Sequence, residues 1–193
     1  MIKFKNKKFI ISVMGVDGSG KTTIAKKLNR TLNNSKYLHL KPYILFKDRR
    51  TVIKNPHNHK KKFFNYSFLR LISWLISYKV YFYTRSKNTV FIFDRYAHDI
   101  LIDPRRYKHS LSVSLTKIIL SFFPKPDLWI FLNPPIRTIK FRKQELSDKE
   151  LKRQISSYIS FFKNKKNVLV FKSISSKNKL FKDITKKINN FIK

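Results

Sequence analysis

The three glycines of this 193-residue chain, Gly15, Gly18 and Gly20, all fall within Gly15-Val16-Asp17-Gly18-Ser19-Gly20-Lys21-Thr22-Thr23. Glycine has been lost everywhere else and kept where a backbone turns tightly around an anion. The segment fits G-x-x-x-x-G-K-[ST], and its flanks suit that motif. Phe9-Ile10-Ile11-Ser12-Val13-Met14 reads as a buried strand leading in, and Ile24, Ala25, Leu28 and Leu32 recur at helical spacing on the way out. Glycine tolerates positive φ and leaves no Cβ between successive N–H groups and a phosphate, while the helix N-terminus adds partial positive charge. Lys21 is then placed to reach the β- and γ-phosphates, and the Thr22 hydroxyl to ligate Mg²⁺. Gly15, Asp17, Gly18, Ser19, Gly20, Lys21, Thr22 and Thr23 form the candidate nucleotide-binding set, with ATP and Mg²⁺ as the expected cofactors. Asp17 is unusual in such a loop. An anion there costs affinity unless it faces away from the triphosphate, toward the acceptor.

Beyond the loop, apolar runs alternate with helical patterns. Strands are expected at Tyr37–Leu40, Thr89–Phe93, Asp127–Leu132 and Asn167–Phe171. Helices are expected over Phe63–Tyr83, Leu111–Phe123, Ile136–Arg142, Leu151–Phe162 and Leu180–Ile192, with a cation-rich loop from Lys41 to about Lys62 and a polar stretch from Gln144 to Glu150. This alternation predicts a parallel sheet with right-handed crossovers, covered by helices on both faces, in a single domain spanning 1–193. Arg70 and Lys79 interrupt the long apolar helix, which argues against a membrane span. Its spare apolar face fits either core packing or a homodimer contact.

The formal charge of +34 invites a nucleic-acid or anionic-membrane reading. Lysine greatly exceeds arginine, however, and Asn, Ile and Phe are abundant, the residue set of an AT-rich genome. No nucleic-acid-binding motif accompanies the charge, so no specific nucleic-acid partner is expected, and peripheral contact with acidic lipid stands as a second reading. Cysteine is absent, which excludes disulfides and thiolate metal sites. The short apolar stretch after the basic N-terminus runs directly into the phosphate loop, so a cleaved signal is not expected and a cytoplasmic location is. The five histidines lack metal-ligand spacing on a helix, His57 and His59 being close only in a loop.

With so few carboxylates, Asp94-Arg95-Tyr96 at the carboxyl end of a strand stands out, since ligands of open parallel sheets bind at that edge. Together with the loop, including its internal Asp17 and doubled Thr22-Thr23, and with Asp127 to Pro135, it makes the chain resemble the thymidylate kinase family over most of its length. The resemblance implies a three-layer α/β/α P-loop NTPase fold with a central, mostly parallel five-stranded sheet and a lid segment at about 142–153. It implies ATP-dependent phosphoryl transfer to a nucleoside monophosphate, dTMP first among the candidates, or to another small anionic acceptor. Asp94 would hold the Mg²⁺ shell through water, Arg95 would fork onto the acceptor's phosphate, and lid cations, Arg142 foremost among Arg142, Lys143, Lys149 and Arg153, would close over the transferred group.

Departures accompany the matches. Ala97-His98-Asp99-Ile100 stands where the family places base-reading Ser and Gln residues, Asn133 replaces an Asp before the lid, and Gln144 to Glu150 lacks the family's Asp-Arg signature. In these respects the chain resembles the thymidylate-kinase-like proteins associated with bacterial surface polysaccharides. A sugar hydroxyl acceptor would need a carboxylate base, Asp94 or Asp17. A nucleotide-binding scaffold with little catalysis is the alternative from another class. Asp99, Asp103, Arg105 and Arg106 fit either acceptor binding or a salt-bridge cluster that braces a loop.

Overall fold

The computed structural model describes residues 8–41, 64–142, 146–172 and 177–192. The loop expected from Lys41 to about Lys62, with His57 and His59, lies outside these residues from position 42 onward, as does Lys143. The chain divides into two compact units, one of Met1–Leu38, Ser86–Arg95 and Pro126–Lys193, the other of His39–Arg85 and Tyr96–Lys125.

The first unit carries a five-stranded parallel sheet in the order β2-β3-β1-β4-β5, with β1 at Phe9–Met14, β2 at Ser35–His39, β3 at Val90–Asp94, β4 at Leu128–Leu132 and β5 at Val168–Phe171. Strands buried on both faces need apolar side chains in both directions, which is why β1, β3 and β4 read as continuous apolar runs rather than alternating ones. On one face, Ile11, Val13, Val90, Ile92, Leu128, Ile130 and Leu132 join Ile24, Ala25 and Leu28 of α1 (Lys21–Thr31) and Phe181, Ile184 and Ile188 of α7 (Lys177–Ile192). The other face is aromatic. Phe131 stacks on Tyr158 and Phe162 of α6 (Asp148–Phe162), at centroid distances of 5.4 and 5.1 Å. Helices therefore cover both faces, giving three layers.

Register aligns the functional edge. Val13 of β1 pairs with Asp94 of β3 on one side and Ile130 of β4 on the other, so the chain segments leaving these three strands emerge side by side. At the opposite edge, Asp127 Oδ2 accepts a 2.8 Å hydrogen bond from the Ile10 amide, which ties the start of β4 to β1.

The second unit is built from α2 (Phe64–Tyr83), α3 (Asp99–Ile102) and α4 (Val113–Ser121). Tyr78 is buried among Tyr96 and Phe123, edge-on at 5.0 and 5.2 Å, and its hydroxyl donates to the Leu40 carbonyl. Burial holds the Tyr78 phenol well above its ordinary pKa. The opposite side of α2 exposes Tyr66, Leu69, Ile76, Val80 and Tyr83. Among the described residues, no helix is long and apolar enough to cross a membrane.

Two local differences from the sequence expectation have physical causes. The four-residue helix α3 follows Asp94-Arg95-Tyr96 where no element was expected, being too short for a periodicity signal. Helix α6 begins at Asp148 rather than Leu151, because Ser147 caps it by accepting from the Glu150 amide at 3.3 Å. Ser147-Asp148-Lys149-Glu150 is a capping-box sequence, so that signal was present in the chain.

Candidate active site

The loop between β1 and α1 has the shape that its glycines require. Gly15, Gly18 and Gly20 take φ values of +146°, +83° and +94°. A Cβ on Gly15 would lie 2.4 Å from the Leu132 carbonyl oxygen, so this glycine is demanded by both φ and close approach of β4's end. Gly20, left-handed, launches α1, and its carbonyl accepts from the Ile24 amide at 3.1 Å. Ser19 Oγ is buried and has no hydrogen-bond partner among the described residues, an orphaned polar atom inside a curved backbone that suits an incoming phosphate oxygen.

Three charges gather beside the loop. Lys21, only 5% exposed, folds its ammonium back to the Val16 carbonyl at 2.7 Å and lies 3.4 Å from Asp17 Oδ1. Arg95 Nη2 pairs with the same Asp17 oxygen. Asp17 thus bridges Lys21 and Arg95, which places Arg95 within reach of the loop. Arg95 itself sits at φ +72°, an uncommon conformation for a residue with a side chain, fixed by its amide donating to the Val13 carbonyl at 3.0 Å.

Asp94, 1% exposed, points its Oδ2 at two hydroxyl donors, Thr22 Oγ1 at 2.6 Å and Tyr37 at 3.0 Å. Thr22 and Asp94 supply hard oxygen donors side by side at the start of α1, a donor set that fits Mg²⁺. Thr23 faces outward on α1.

Among the expected lid cations, Arg142 at the end of α5 (Ile136–Arg142) reaches the loop, with Nη1 3.5 Å from the Gly18 carbonyl and 3.9 Å from where a Cβ on Gly20 would lie. Arg153 does not. Its guanidinium is forked onto Glu150 at 2.9 and 2.6 Å. Lys149 is exposed, and Lys140 is 2.8 Å from Asp148, whose carboxyl it holds below the usual range by hydrogen bonding and charge.

The Asp99–Arg106 group belongs to the second unit and braces itself. Asp99 Oδ2 accepts from Tyr107 at 2.7 Å, and Asp103 meets both the Arg106 amide at 3.2 Å and its guanidinium at 3.5 Å. Sequence reasoning missed Tyr37. It lies on β2, which carries no motif, and only the sheet order brings it to Asp94.

Residues 13–189 match the sequence profile of the thymidylate kinase family. No curated protein sequence matches the chain. Similar solved structures include a deoxyadenosine kinase from M. mycoides bound to dCMP and dCDP, at 16% identity over 94% of this chain and 100% of that one, with a TM-score of 0.66. A thymidylate kinase from Candida albicans is 17% identical over 97% and 94% of the two chains (TM-score 0.62), and one from Ehrlichia chaffeensis 16% over 94% and 98% (TM-score 0.59). At these identities the likeness is one of fold.

Proposed function

The chain belongs to the thymidylate kinase family, and from that premise we propose that it transfers the γ-phosphoryl group of ATP to a nucleoside monophosphate, with dTMP the first candidate. The observation that carries this reading is the convergence of Lys21 and Arg95 on Asp17 at the mouth of the phosphate loop. Two buried cations held by one carboxylate suit two phosphate groups, one from each substrate. Loop amides and Lys21 bind the donor's phosphates, Arg95 orients the acceptor's phosphate as a bidentate fork, and Arg142 adds charge from the other side. Thr22 and Asp94 would hold Mg²⁺, which when bound would neutralise charge on the phosphate oxygens. The bond from the donor's bridging oxygen to the γ-phosphorus breaks as a bond from an acceptor phosphate oxygen forms. An anionic acceptor has no proton to lose, so the residues act by position and charge rather than as a base.

A hydroxyl acceptor is the second reading, favoured by the similarity in fold to a deoxyadenosine kinase. It needs a carboxylate base, Asp94 or Asp17; Asp17 already pairs with Arg95 and Lys21, and Asp94 accepts from Thr22 and Tyr37 through Oδ2. The Arg95 fork at the loop mouth weighs toward the phosphate acceptor. The deciding experiment offers labelled ATP with dTMP, dCMP, dAMP and the matching nucleosides, then identifies the labelled product. Label on a monophosphate, with Arg95→Ala raising acceptor KM, supports the first reading. Label on a nucleoside, with Asp94→Asn abolishing turnover and Arg95→Ala nearly silent, replaces it with the second.

A further inference from the structure

We propose that Tyr37 is a positioning residue for the metal-binding pair, holding the Asp94 carboxylate in the orientation that leaves the Thr22 oxygen open to a divalent cation. The inference rests on the nucleotide-binding part of the proposed function. Its basis is a junction of three elements at one oxygen atom: Thr22 from the first turn of α1 donates to Asp94 Oδ2 at 2.6 Å, and Tyr37 from β2 donates to the same atom at 3.0 Å. A carboxylate can only accept, so each hydroxyl spends its single hydrogen there. The Thr22 hydrogen is thereby turned inward, and its lone pairs face away from Asp94. This arrangement lasts only while the carboxylate keeps its place.

Tyr37 is suited to keep it there. Its half-buried ring packs against the core cluster of Ile11, Val13, Ile24 and their neighbours, on a strand hydrogen-bonded into the sheet. The phenolic oxygen lies on the ring axis, so ring flips do not displace it. Asp94 is almost fully buried, where a carboxylate depends on donors in place of water. Without Tyr37 the carboxylate oxygen loses the donor anchored on the sheet and keeps Thr22, the residue whose orientation the carboxylate has to set. Removal of a partner that orients a metal-binding group weakens affinity about tenfold or more.

The test is Mn²⁺ titration into the full-length protein with ADP present, followed by electron paramagnetic resonance, for wild type and Tyr37→Phe. That substitution keeps the ring and its packing and deletes only the hydroxyl. The expected result is an Mn²⁺ dissociation constant raised about tenfold, with metal-free ADP affinity within about twofold of wild type and the variant fully folded at the temperature of the titration. Mn²⁺ affinity unchanged in folded Tyr37→Phe would overturn the proposal. So would an affinity loss that merely tracks a smaller folded fraction in the circular dichroism of the same samples, or one matched by an equal loss of metal-free ADP binding. Wild-type protein that binds Mn²⁺ and ADP yet phosphorylates no acceptor would remove the proposed function while leaving this comparison intact.

Discussion

Arg95 and Asp17, separated by 78 positions in sequence, form an ion pair at the phosphate loop, and Lys21 lies 3.4 Å from the same carboxylate oxygen. Asp17 therefore faces the two cations that would otherwise repel each other across the mouth of an anion site. In the absence of phosphate it is their counter-ion.

Asp17→Asn should remove the carboxylate charge that buried Lys21 and Arg95 share, at a cost of about 3 kcal/mol. Urea unfolding measures the loss. Added inorganic phosphate should restore more stability to the variant than to wild type, since it binds only the folded cation pair. An equal response in both proteins would show that Asp17 is not the counter-ion.

Lys21→Ala should lower turnover at least about a hundredfold, the scale seen when a group stabilising developing charge is removed. Circular dichroism should report an intact fold, because the ammonium's bonds to Val16 and Asp17 stay within its own loop. A folded variant with wild-type turnover rules out the assigned role.

Gly15→Ala should destabilise the protein by about 3 kcal/mol, from strain at positive φ and a backbone clash. The new methyl would sit 2.4 Å from the Leu132 carbonyl, which has no freedom to rotate away. Thermal unfolding checks this, and a stability unchanged from wild type would contradict the described loop.

Arg142→Ala and Arg153→Ala should separate. Arg142 reaches the Gly18 carbonyl, whereas Arg153 is held by Glu150. Removing Arg142 should lower kcat about tenfold or more with a smaller change in the KM for ATP, and removing Arg153 should change neither by more than about twofold. Steady-state kinetics on both variants tests the assignment, and reversed effects would transfer the role to Arg153.

His109 gives the stability a pH dependence. It is 5% exposed, and burial first, then the Arg70 charge, holds its pKa at about 4 against 6.5. Thr116 spends its hydrogen on the Ser112 carbonyl, so His109 Nε2 donates to Thr116 at 2.7 Å, and the lowered pKa keeps the folded ring neutral above about pH 4. The unfolded chain takes up the proton first. This contribution is therefore complete above about pH 6.5 and drains as pH falls toward about 4. Urea midpoints should drop over that window in wild type and drop less in His109→Gln. Parallel curves would remove His109 as the source.

Local pattern accounts for the features that were legible in the chain. Strand β1, the glycine loop and α1 could be read because each depends on neighbours within a few residues: continuous apolar side chains, positive φ, and helical spacing. Four more strands and the long helices followed from the same periodicities, and Asp94-Arg95 could be placed at a strand end. The start of α6 was written in Ser147 and Glu150 but hidden by the polarity of its first turn.

Which partner each charged group takes was not written locally. Asp17 was free by sequence to face a substrate, and the sheet register, by setting Asp94 beside Val13, brought Arg95 to it instead. Tyr37 carries no motif and meets Asp94 only because β2 lies next to β3, while Arg142 meets Gly18 across 124 positions. Apolar periodicity reports that a side chain is buried. The contact that satisfies a buried polar group depends on strand order and register, which are set by packing among segments far apart in the chain.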